Sequence, residues 1–107
     1  MTLLSSITTI HLKVYGKVQG VSYRYWVKEN AIKLGISGWV KNKDDKTVEI
    51  IANGTQAHID SFIESCNIGS ENSEVQKVDI LLIDKVGHGG SFPLSDFQIL
   101  YDNLSDD

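Results

Sequence analysis

One run of residues, Gly16-Lys17-Val18-Gln19-Gly20-Val21-Ser22-Tyr23-Arg24, combines the parts of an anion-binding site. Its two glycines permit tight turns and positive φ. Successive N–H groups in such a loop can converge on one anion. Ser22 is placed to cap a helix, and a helix start adds free N–H groups and the positive end of a dipole. Arg24 falls in that first helical turn and offers a planar, permanently charged fork that matches phosphate oxygens. Gly-Lys-Ser/Thr is absent, so the segment is not a Walker A loop.

The same run resembles the first signature of the acylphosphatase family, Gly-x-Val-Gln-Gly-Val-x-aromatic-Arg, which forms that family's phosphate loop. Gly38-Trp39-Val40-Lys41-Asn42 resembles the first half of its second signature, with Val48 and Gly54 at the family's distances. The resemblance spans about Ile10 to Tyr101. It implies a phosphate loop made of Gly16, Lys17, Val18, Gln19, Gly20 and Val21, with Arg24 binding the phosphoryl group and Asn42 orienting the attacking water. The activity it implies is hydrolysis of an acyl phosphate to carboxylate and inorganic phosphate, with no cofactor and no metal. Lys17 either adds positive charge near the phosphate or is a solvated loop lysine. Gln19 reads as a brace for the loop rather than a catalyst.

What the loop lacks agrees with that chemistry. No His, Asp or Glu stands there to act as general acid or base. A phosphomonoester needs an acid for its alkoxide, whereas a carboxyl phosphate releases a carboxylate whose conjugate acid has a pKa of about 4. Such a leaving group departs unaided, so positioning and electrostatics can suffice.

The elements that must hold these residues follow from periodicity. Ile10, Leu12 and Val14 alternate with His11, Lys13 and Tyr15, the pattern of a half-buried strand that the glycines from Gly16 to Gly20 should break. Tyr23, Trp26, Val27, Ala31 and Leu34 fall at helical spacing before Gly35. Strands are expected at about 38–42 and 47–52, joined as a hairpin by the polar turn 43–46. Gly54 and Thr55 introduce a second helix with Ile59, Phe62, Ile63 and Cys66 on one face. Further strands are expected at about 75–83 and, after a loop of Gly87 to Gly90 with Pro93, at 97–101. The order strand, helix, strand, strand, helix, strand predicts a ferredoxin-like α+β sandwich, βαββαβ with a short extra C-terminal strand, two helices covering one face of an antiparallel sheet. Asn42 shares parity with Val40 and so should point toward the helices, where Arg24 begins its own helix.

Composition bounds the rest. The 107 residues make a single domain with tails at 1–6 and 103–107. A hydrophobic fraction of 41% excludes global disorder. A net charge of −4 argues against a nucleic-acid partner. An RNA-recognition role would need a basic, aromatic sheet face, whereas Lys13, Tyr15, Trp39, Lys41, Glu49 and Asp79 are mixed in sign. No run reaches a membrane span and no signal peptide is visible. The single cysteine, Cys66, fits a reducing compartment and reads as a small core residue. His11, His58 and His88 lack ligand spacing. The expectation is a cytoplasmic monomer. Its alternative is a catalytically idle module of the same fold that binds an anion or a protein.

Two departures from the family pattern stand out. Lys46 occupies a turn position where the family usually carries glycine. The loop after the second helix usually carries prolines, and here Gly69 is followed by Ser70-Glu71-Asn72. A looser, more acidic rim there would repel anionic substrates.

Overall fold

A computed structural model describes residues 7–84 and 96–101. The expected tails, the loop around Gly87 to Pro93 and His88 lie outside the described residues.

The elements run β1 (Thr8–Lys17), α1 (Tyr23–Lys33), β2 (Ser37–Asn42), β3 (Val48–Gly54), α2 (Gln56–Ile68), β4 (Glu74–Asp84) and β5 (Phe97–Leu100). They form one five-stranded sheet in the order β4-β1-β3-β2-β5. The first four strands pair antiparallel. β5 pairs parallel with β2, so the sheet is mixed rather than purely antiparallel. A four-residue strand carries an alternation but no sign of its direction, so only the tertiary fold decides this.

The alternation seen in the sequence becomes the two faces of the sheet. Ile10, Leu12 and Val14 of β1, Val40 of β2, and Val48, Ile50 and Ala52 of β3 are buried on the helix side. α1 covers them with Tyr23, Val27 and Ala31, and α2 with Ile59, Phe62 and Cys66. Each fully buried Ile, Val or Phe stabilises the fold by about 1.5–3 kcal/mol relative to exposure. Phe62 meets Phe97 of β5 edge to face, with ring centroids 6.0 Å apart. Thr55 caps α2, its hydroxyl accepting from the His58 N–H. Cys66 is core, as expected, and burial pushes its thiol up to about 12. It is therefore a neutral packing group.

The other face of the sheet carries the charges, and they are spent on one another. Lys13 pairs with Asp45, Lys43 and His11 with Glu49, and Lys77 with Asp79. Lys41 lies over the Trp39 ring and Lys77 over Tyr15.

Candidate active site

The loop between β1 and α1 begins later than the sequence suggests. β1 does not break at Gly16; it continues through Lys17, with Gly16 opposite Val75 and Lys17 opposite Glu74. The register slips between Tyr15 and Gly16. Gly16 has φ 127°, and a Cβ there would stand 2.1 Å from the Glu74 carbonyl oxygen. Its glycine serves the close approach of β4. Gly20 is different: φ is 75° and no atom lies within 4 Å of a Cβ, so turning alone requires it. Lys17 is exposed, Val18 is buried in the core, and Val21 packs partly against it.

Ser22 stands at the N-cap, but not as a capping side chain. It adopts the left-handed conformation, φ 62° and ψ 22°, and its hydroxyl makes no cap hydrogen bond. Its carbonyl accepts from the Trp26 N–H at 3.1 Å. From Gln19 through Tyr25, no backbone N–H donates to an acceptor among the described residues. Gly20, Ser22, Tyr23, Arg24 and Tyr25 of this run line, with Val18, a cavity of about 190 Å³. Unspent N–H donors beside a guanidinium are the ingredients from which anion sites are built.

Arg24 stacks on an aromatic ring that the sequence did not point to. Its Cζ lies 4.8 Å from the centroid of Tyr101. Tyr101 follows β5 directly, and β5 runs beside β2 with Leu100 opposite Lys41. The next residues along these parallel strands are Tyr101 and Asn42. The stacking therefore ties the start of α1 to the strand end that carries Asn42.

Asn42 closes β2 opposite Val48, whose side chain is wholly buried. This places Asn42 on the helix-covered face, in agreement with its parity. Its Oδ1 is buried and accepts no hydrogen bond from the described residues. A buried acceptor left unpaired costs about 1–3 kcal/mol. Core packing alone gives no reason to keep such an atom.

Two side chains fasten the loop. Gln19 Nε2 donates to the carbonyl oxygens of Lys43 at 2.8 Å and Thr47 at 2.9 Å. It is a brace, as the sequence suggested, and it grips the turn immediately after Asn42. Ser70 Oγ donates to the Val21 carbonyl at 2.8 Å. Nothing in the polar run from Gly69 to Ser73 announced that contact, which joins residues far apart in sequence. Among the described residues no three His, Cys, Asp or Glu side chains gather as a metal centre would require.

A sequence model of the acylphosphatase family matches residues 10–99. This chain belongs to the acylphosphatase family. The acylphosphatase of Azorhizobium caulinodans is 33% identical to it over 84 residues, which cover 78% of this chain and 90% of that protein. The acylphosphatase of Haloarcula marismortui is 40% identical over 83 residues, covering 78% and 91%. The crystal structure of the acylphosphatase from Bacillus subtilis matches with a TM-score of 0.77 at 35% identity, over 88% of this chain and 99% of that one. The chain is thus an enzyme of the acylphosphatase class, a hydrolase on a ferredoxin-like fold. The acylphosphatase has no described helix long and apolar enough to cross a membrane.

Proposed function

We propose that this acylphosphatase hydrolyses the carboxyl–phosphate bond of small acyl phosphates by in-line attack of a water oriented by Asn42. The phosphoryl oxygens lie against the N–H groups from Gln19 to Tyr25 and the Arg24 guanidinium. Water attacks phosphorus opposite the acyl oxygen, the bond between phosphorus and that oxygen breaks, and carboxylate and inorganic phosphate leave. Charge spread over the phosphoryl oxygens is met by donors already in place, so little reorganisation is needed. The leaving carboxylate needs no proton, in keeping with a loop that offers no acid.

The observation that carries this reading is the run of N–H groups from Gln19 to Tyr25 that make no hydrogen bond among the described residues, beside the Arg24 guanidinium. Asn42 closes β2 on the helix-covered face, and its side-chain oxygen, which accepts no hydrogen bond from the described residues, is the acceptor proposed for the attacking water. Tyr101 supports Arg24 from behind, and Gln19 keeps the loop in register with the end of β2. One domain performs the reaction. We read it as a cytoplasmic monomer without a nucleic-acid partner: the free thiol is buried, and the lysines at positions 13, 41, 43 and 77 are engaged.

The decisive experiment compares hydrolysis of benzoyl phosphate and p-nitrophenyl phosphate, with and without a chelator. Rapid, chelator-insensitive cleavage of the acyl phosphate alone is expected. Preference for the monoester would refute the reading. Arg24→Ala should abolish both turnover and phosphate binding. Asn42→Ala should lower kcat by about 10²-fold or more while phosphate still binds. If Asn42→Ala turns over normally, the water-orienting role is wrong. Phosphate binding without any hydrolysis would mark an idle module of the same fold.

A further inference from the structure

The loop after α2 departs from the family pattern, yet it touches the phosphate loop. Ser70 Oγ donates to the Val21 carbonyl at 2.8 Å. The Val21–Ser22 peptide is planar, and in the trans form its C=O and N–H point in opposite directions. A carbonyl anchored outward on Ser70 therefore turns the Ser22 N–H the other way. Ser22 lines the cavity beside Arg24, whereas Val21 packs against the core. The left-handed backbone of Ser22, φ 62°, is strained for a residue that carries a Cβ, so neighbouring contacts that hold it matter.

The donor is itself held in place. The Ser70 carbonyl accepts from the Ser73 N–H at 3.0 Å and from Ser73 Oγ at 2.8 Å. Ser73, Ser70 and Val21 thus form a short chain of hydrogen bonds ending on the peptide that precedes Ser22. No other described side chain bonds to that peptide's oxygen.

We propose that Ser70 is a positioning residue of the phosphoryl site: by anchoring the Val21 carbonyl it aims the Ser22 N–H into the cavity that receives the phosphoryl group. The proposal rests on reading the loop as the phosphoryl site. It gives the serine that follows Gly69 a role in ground-state anion binding, upstream of the chemistry.

The test measures the dissociation constant of inorganic phosphate by calorimetry for the wild-type protein, Ser70→Ala and Ser70→Thr. The KM and kcat for benzoyl phosphate and the melting temperature are measured alongside. Ser70→Ala should weaken phosphate about three- to tenfold, the effect of misaiming one neutral donor. KM should rise by a similar factor while kcat stays within about twofold. Ser70→Thr keeps the hydroxyl and should restore wild-type binding. A purely structural role would lower the melting temperature and the active fraction yet leave the dissociation constant and KM unmoved; that result overturns the proposal. So does failure of Ser70→Thr to rescue in a folded protein. Phosphate binding that responds to Ser70→Ala in a protein with no acyl-phosphate hydrolysis would refute the catalytic reading and leave the positioning role standing.

Discussion

Two segments of this enzyme place a non-glycine residue in the left-handed region, and they handle it in opposite ways. After β1, Ser22 has φ 62°; after β2, Lys46 has φ 75°. In the turn after β2 three backbone N–H groups are engaged locally. The Lys43 N–H donates to the Thr47 carbonyl at 2.9 Å, the Lys46 N–H to the Lys43 carbonyl at 3.2 Å, and the Thr47 N–H to Asp45 Oδ1 at 3.1 Å. The Thr47 hydroxyl also donates to Asp45, whose other oxygen meets Lys13 Nζ at 2.9 Å. In the loop after β1 the N–H groups from Gln19 to Tyr25 make no hydrogen bond among the described residues, and five of those seven residues line a cavity. Backbone strain by itself therefore does not mark a functional site. Strain accompanied by unspent donors does, because folding then leaves binding capacity unused.

Gln19 joins the two segments, so its removal is the strongest challenge to the contrast between them. Gln19→Ala should destabilise the protein by about 1–2 kcal/mol, since two carbonyls lose a donor. It should also lower kcat/KM for benzoyl phosphate by more than about tenfold, because the loop loses its registry with Asn42. Denaturant unfolding and steady-state kinetics read the two effects. Full activity in Gln19→Ala would mean that loop and turn are independent.

Asp45→Ala should act on one side of the comparison only. The melting temperature falls by a few degrees, while kcat/KM and phosphate affinity are unchanged. The sign with pH follows from the carboxylate. Hydrogen bonds from the Thr47 hydroxyl, from Lys13 and from the Thr47 N–H hold its pKa below the ordinary value of 3.8. A lowered folded-state pKa contributes stability that is fully present above the unfolded value and is lost as pH falls through the folded one. Wild-type melting temperature should thus drop more steeply than that of Asp45→Ala as solutions are acidified below pH 3.8. Parallel profiles would show that the turn gains nothing from this charge.

Lys46→Gly is the smallest change and the sharpest separation. A left-handed lysine costs about 1–2 kcal/mol relative to a relaxed backbone, and glycine returns part of it as chain entropy. The net gain should be about 0.5–1 kcal/mol in denaturant unfolding, with kinetics unaltered. A loss of activity would place this turn inside the catalytic machinery.

Much of this architecture was legible in the chain. The strict alternation of β1 and the stripe of Ile59, Phe62 and Cys66 in α2 name their buried faces, because burial on one side leaves a period in the residues. The loop signature and the strand that ends in Asn42 were visible through their resemblance to the acylphosphatase family, which also implied the role proposed for Asn42. The contacts that complete the site were not. Tyr101 on Arg24 and Ser70 on Val21 join remote segments through one aromatic face and one hydroxyl. Neither leaves any local pattern. Gly16 misled for a related reason. A glycine that admits a neighbouring strand and a glycine that ends a strand look alike until the neighbour is known.

The sheet order carries a consequence for how activity appears in time. Apart from the β2–β3 hairpin, adjacent strands come from distant parts of the chain: β1 pairs with β3 and β4, and β5 with β2. Such topologies fold slowly for their size, since loop closure precedes the contacts that reward it. Arg24, Asn42 and Tyr101 sit on α1, at the end of β2 and just past β5. Arg24 cannot reach Tyr101, nor can β5 come to lie beside the strand that carries Asn42, until this last strand has docked. Recovery of hydrolysis during refolding should therefore lag behind the burial of Trp26, whose indole needs only the two helices to bring it to Ser65.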